Sequence, residues 1–115
     1  MAGFVFKSTS FPFVISREDG SEIKSYRIDV GSEKFFREIM DKGNAVVKNL
    51  ESFAGSDLDE AKANIKQYVD FTLGEGAFDF LYVAFEQNIF CMIELTKCIT
   101  EEIRNKWDER LKAYA

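Results

Sequence analysis

The sequence predicts an α+β domain, an N-terminal β-hairpin followed by a bundle of about four α-helices. Three observations predict it. Apolar residues alternate with a period of two along the early part of the chain, that period lengthens to the helical one after Gly31-Ser32, and Asp19-Gly20 stands between the two alternating stretches. A chain of 115 residues is the size of one domain. Residues 1–115 therefore read as a single unit, with a hairpin region at about 1–31 and a helical region at about 32–115.

The first strand is carried by Phe11, Phe13 and Ile15, whose odd positions place bulky groups on one face. Pro12 cannot donate a ladder hydrogen bond, which puts that strand at an edge. Tyr26, Ile28 and Val30 alternate with Ser25, Arg27 and Asp29 in the second strand. Asp19-Gly20 between them is a hairpin signal, because both positions tolerate positive φ. Ahead of the hairpin, Phe4-Val5-Phe6 reads either as a further short strand or as a flexible apolar arm.

Ser32 caps the first predicted helix, with Glu33 near its positive end. Phe36, Ile39, Met40, Val46, Val47 and Leu50 give it an apolar face, and Gly43 is its weak point. Ala54-Gly55-Ser56 ends it, and Asp57 with Glu60 opens the next as a variant capping box. Leu58, Ala61, Ile65, Val69 and Leu73 carry the second helix, and Gly74 stops it. The stretch Ala77–Phe85 is apolar on more than one side, which predicts a short helix at the centre of the bundle. Glu86-Gln87-Asn88 is a bend with Asn88 as cap. A long final helix then follows through Ile89, Met92, Ile93, Thr96, Ile99, Ile103, Trp107 and Leu111, with a charged last third facing water.

Composition excludes several classes of function. The net charge is −5 and no run of Lys or Arg occurs, so neither nucleic acid nor an anionic membrane surface is an expected partner. No apolar run is long enough to span a bilayer, and the first residues lack the pattern of a signal peptide, so a cytoplasmic protein is expected. Cys91 and Cys98 share a helical face about 10 Å apart along its axis, too far for a disulfide. They read as small buried apolar residues in a reducing compartment.

The residue types that carry chemistry are missing or misplaced. The chain has no histidine, so it has no Ser-His-Asp or Cys-His arrangement and no standard zinc site. Asp57, Asp59 and Glu60 lack the glycine and distal glutamate of a calcium loop, and Glu101-Glu102 belong to a charged helical face. Gly74-Glu75-Gly76 lacks the third glycine and the Lys-Ser/Thr of phosphate loops, so it reads as a structural connector between two helices. No enzyme, no cofactor and no metal is expected.

Aromatic residues make up 15% of the chain, including 12 phenylalanines, more than a core of this size obviously needs. Phe4, Phe6, Phe11, Phe13, Phe78, Phe80, Tyr82, Phe85 and Phe90 are candidates, and some of these rings are expected to meet a partner or a second copy.

An N-terminal hairpin with an acidic turn comes first, then an amphipathic helix. Ile65, Tyr68 and Val69 lead into Leu73-Gly74-Glu75-Gly76-Ala77-Phe78, and a long helix closes the chain. In this layout the sequence resembles the small tail assembly chaperones of tailed phages and prophages of Gram-positive bacteria. The likeness covers nearly the whole chain in layout and about a dozen residues in detail. It implies a non-enzymatic protein, often oligomeric, that binds and solubilises the phage tape measure protein until tail-tube subunits polymerise around it. The family often has a longer, frameshifted form, of which this sequence shows no trace. Two other classes stand beside it: a structural virion component, such as a small tail or head-tail connector protein forming a ring, and a small regulatory or antitoxin-like adaptor.

Overall fold

The computed structural model describes residues 3–51 and 58–113 and has the predicted architecture. Strands β1 (Ser10–Ser16) and β2 (Glu22–Asp29) form a two-stranded antiparallel hairpin, followed by helices α1 (Glu33–Glu51), α2 (Leu58–Leu73), α3 (Ala77–Ala84) and α4 (Ile89–Lys112). The radius of gyration is 16.0 Å and the extents are 61 × 32 × 23 Å. A compact chain of this length has a radius near roughly 13 Å, so the molecule is elongated.

Pairing of Phe11 with Ile28 and Phe13 with Tyr26 stacks the apolar positions of both strands on one face. That face is sealed against the helices: Phe11, Phe13, Ile15, Ile28 and Val30 all belong to the core. The register slips between Ile15 and Ser16, leaving a bulge next to the turn. The turn differs from the expected one. Only Gly20 has positive φ (89°), while Asp19 uses its side chain, accepting from the Ser21 amide at 2.8 Å and the Ser21 hydroxyl at 2.6 Å. Local hydrogen bonding by Asp replaces a second left-handed residue.

Helix α2 organises the rest, since α1, α3, α4 and β2 all pack on it. Its buried residues run along more than one side, from Ala61 and Ile65 through Tyr68, Val69, Thr72 and Leu73. Ser32 caps α1 as expected, its hydroxyl accepting from the Phe35 amide at 3.1 Å. The buried face of α1 is carried by Phe35, Ile39 and Val46, whereas Phe36, Met40 and Val47 are exposed. Ile39 and Val46 are therefore buried as expected, while Phe35 takes the inward place expected of Phe36, and Met40 and Val47 lie outside the buried face. The stop at 54–56, the Asp57 cap and the Leu50 side chain lie outside the described residues.

Gly43 sits over the Tyr68 ring of α2, where an added Cβ would lie 3.8 Å from the ring, an ordinary contact. Its backbone is helical, so Gly43→Ala is expected to stabilise the chain by about 1 kcal/mol through helix propensity. Thermal unfolding checks this. A loss of stability would mean that α1 and α2 approach more closely than this.

At the α2–α3 connector Gly74 has φ 123° and Gly76 φ 88°. Side chains there are strained even though the space around them is open. Gly76 offers α3 no side-chain cap. Asp70 of α2 does so instead, its carboxylate accepting from the Phe78 amide at 2.8 Å. The expectation of a central α3 is corrected: its buried side, with Phe78 and Leu81, packs chiefly on α2, while Phe80 and Val83 are exposed. Glu86 and Gln87 then turn the chain with φ of 59° and 57°, and the Asn88 side-chain Oδ1 caps α4, accepting from the Phe90 and Cys91 amides.

Candidate protein-binding surface

The aromatic residues singled out by sequence divide into three groups. Phe11, Phe13 and Phe78 are buried in the chain's own core, so they present no surface to a partner. The hairpin's inward face and the contact of α3 with α2 account for all three. Tyr82 and Phe85 are half-buried against that core. Tyr82 stacks on Phe78 with ring centroids 5.3 Å apart, and the Lys62 ammonium sits 4.7 Å from its ring centroid. Phe4, Phe6, Phe80 and Phe90 are exposed, on the leading arm, α3 and α4 respectively, with the Lys24 ammonium 4.7 Å from the Phe80 ring centroid.

The leading segment is an arm and not a strand, since pairing begins at Ser10. Phe4, Val5 and Phe6 are 92%, 75% and 83% exposed. The base of the arm is held firmly. Arg110 of α4 donates to the carbonyls of Lys7 at 2.7 Å and Ser8 at 3.3 Å, and the Thr9 hydroxyl donates to Asp29 at 2.5 Å. The Thr9 hydroxyl and the Gly31 amide together hold the Asp29 carboxyl below its ordinary pKa. Gly31 is required for this closure, because a Cβ there would fall 2.3 Å from the Thr9 hydroxyl oxygen.

A concavity between two helices is one that the sequence reading missed. Helices α1 and α4 both rest on α2 but do not approach each other closely along their length. Between them runs a groove of about 400 Å³, walled by Ile39, Met40, Gly43, Val46 and Val47 from α1 and by Thr96, Thr100, Ile103 and Trp107 from α4. Tyr68 of α2 lies beneath, and Lys97, Glu101 and Arg104 mark the α4 rim. Trp107 closes one end: it stacks on Phe36 at 4.5 Å, meets Phe35 edge-on at 6.3 Å, and donates its indole N–H to the Val30 carbonyl at 2.8 Å.

The sequence did carry a signal for this groove. Phe35, Ile39 and Val46 form one row on α1, and Phe36, Met40 and Val47 repeat it one residue later. Two parallel apolar rows are more than one buried face requires. The second row faces the groove and its Trp107 end.

Three hydroxyls of the groove, those of Tyr68, Thr96 and Thr100, are hydrogen-bonded within the chain. Thr100 donates its hydroxyl to the Thr96 carbonyl at 2.8 Å, so the Tyr68 hydroxyl must be the donor in its 2.5 Å contact with Thr100. Burial raises the Tyr68 pKa and keeps that phenol protonated. What remains is apolar carbon lined by a charged rim, a surface suited to apolar side chains and not to a small ionic ligand.

Among the described residues, no three His, Cys, Asp or Glu side chains gather where they could hold a metal ion, and no helix is long and apolar enough to cross a membrane. Cys91 is half-buried, but Cys98 is exposed, contrary to its reading as a core residue. Cys98 lies on the side of α4 turned away from Met92, Leu95, Ile99 and Ile103. Partial desolvation, followed by Glu102 and Glu101, raises its thiol pKa and makes it less reactive. No protein family, curated protein or solved structure matches the chain.

Proposed function

We propose that this chain is a non-enzymatic holdase of the phage tail assembly chaperone kind. In this reading it works in the bacterial cytoplasm and binds an amphipathic helix of a tape measure protein in the α1/α4 groove. The observation that supports it most is the groove itself: two helix walls, a largely apolar lining and a charged rim on α4. An amphipathic helix presents apolar residues in a row and lays them in such a groove. The net charge of −5 keeps the complex soluble while the client is unassembled. The layout around Leu73-Gly74-Glu75-Gly76-Ala77 supports the same family.

Co-expression with a tape measure protein of a Gram-positive siphophage tests the reading. A soluble complex is expected, which sheds this chain when tail-tube subunits are added. Met40→Glu and Val47→Glu change exposed residues, so they should leave the fold intact while weakening the complex at least tenfold, equivalent to about 1.4 kcal/mol. Failure to form a complex, with the chain found instead in finished particles, would favour the structural virion component.

A further inference from the structure

We propose that the arm Phe4-Val5-Phe6 is a strap that closes over the Trp107 end of the α1/α4 groove of its own chain. The contact is a property of the chain alone. Its regulatory consequence, that the strap competes with a client helix, rests on the groove being the client site.

The point where the arm leaves the body decides its target. The Trp107 indole nitrogen lies 2.8 Å from the Val30 carbonyl oxygen, and Gly31, the next residue, abuts Thr9 so closely that no Cβ fits between them. These contacts in series put Thr9 within about 10 Å of the indole nitrogen. Arg110, one helical turn beyond Trp107, donates to the carbonyls of Lys7 and Ser8. The arm therefore emerges beside the residue that closes one end of the groove.

Length then limits where the tip can go. Phe4 is three residues from the pinned Lys7, at most roughly 10 Å of chain plus one side chain. The Trp107 ring, with Phe36 stacked on it at 4.5 Å, is the apolar surface nearest that tether. Phe90, exposed on the same helix, precedes Trp107 by about 25 Å along the axis and is out of reach.

Size and polarity agree. The groove, at about 400 Å³, is near the lower end of the roughly 300–1,000 Å³ of clefts that hold small ligands, which is room for one or two aromatic rings. Both sides of the contact are apolar and exposed on the open chain, Phe4 and Phe6 on the arm and Phe36 and Met40 at the groove. Closure removes that surface from water. Because tip and groove share one chain, a short tether presents the tip at an effective concentration on the order of millimolar, and the pinned base lowers the entropy lost on closing. One or two rings then suffice to hold the strap, and a client helix must displace it.

Cysteine trapping tests the contact without a client. One chain carrying Phe4→Cys, Met40→Cys and Cys98→Ser, oxidised at low micromolar concentration, is expected to form a bridge within the chain at a rate independent of its concentration. All three replaced side chains are exposed, so the fold is kept. In a Phe4→Ser/Phe6→Ser variant, Trp107 emission is expected at longer wavelength than in the parent chain, because the strap no longer excludes water from the ring. The same variant should bind a helical segment of a tape measure protein at least about twofold more tightly, the factor for a strap closed half of the time. A bridge that forms only between chains, or no bridge, overturns the proposal, and so does Trp107 emission that stays unchanged. Client affinity unchanged or weakened by loss of the two rings also overturns it. If the helical segment binds neither chain, the client reading fails by itself, and the bridge and the emission still decide the strap.

Discussion

Replacing Phe78 with alanine is expected to destabilise the chain by about 3–5 kcal/mol, the usual cost of deleting a buried ring. Phe78 is 1% exposed and anchors α3 to α2, and its loss leaves a cavity beneath Tyr82, which stacks on it. Nothing nearby can easily collapse into that space. Asp70 fixes the Phe78 amide, and Gly74 and Gly76 fix the turn that leads into α3. With total stability of roughly 5–15 kcal/mol for a typical domain, such a loss should lower the melting temperature by more than roughly 10 °C. Phe80→Ala, two residues away and on the outer side of α3, should cost below about 1 kcal/mol. Thermal unfolding of the two variants separates a core ring from a surface ring. Equal effects would return Phe78 to the list of partner contacts.

Trp107→Ala is the second large effect, expected at about 2–3 kcal/mol because the ring is only half-buried. Trp107 joins three elements that otherwise have little in common: it packs on Phe35 and Phe36 of α1, belongs to α4, and bonds to Val30 beyond β2. Since α1 and α4 do not otherwise approach closely, its removal should also open the end of the groove. Trp107→Phe keeps the stacking and loses the indole hydrogen bond, so it should cost about 1 kcal/mol. Denaturant unfolding of both variants divides packing from hydrogen bonding. If the two cost the same, the ring contacts contribute nothing.

Much of the fold was legible because local rules and tertiary packing agreed. Phe11, Phe13 and Ile15 against Tyr26, Ile28 and Val30 have the period of two that a one-sided hairpin needs, and the core takes up that face. Ser32 and Asn88 cap helices through short-range hydrogen bonds that depend on little else. Gly74 was legible as a stop for the same reason.

The site was less legible, because it depends on where α2 lies. Phe35 and Phe36 are neighbours in sequence, and nothing local says which of them turns inward. Packing on α2 selects Phe35 and leaves Phe36 for Trp107. The same limit applies to α3, whose apolar composition resembles that of a central helix although Phe80 and Val83 stay exposed. Counting phenylalanines could not separate Phe78 from Phe80. The groove arises from two helices sharing a third, a relation between distant segments that periodicity does not encode.

The chain contains a single tryptophan, and that residue lines the groove. Its emission therefore reports directly on whether a client helix enters. Titrating the chain with a helical segment of a tape measure protein is predicted to shift Trp107 emission to shorter wavelength, saturably, and Met40→Glu should abolish the shift. A complex that forms without changing Trp107 emission would contradict the assignment of the groove as the binding site.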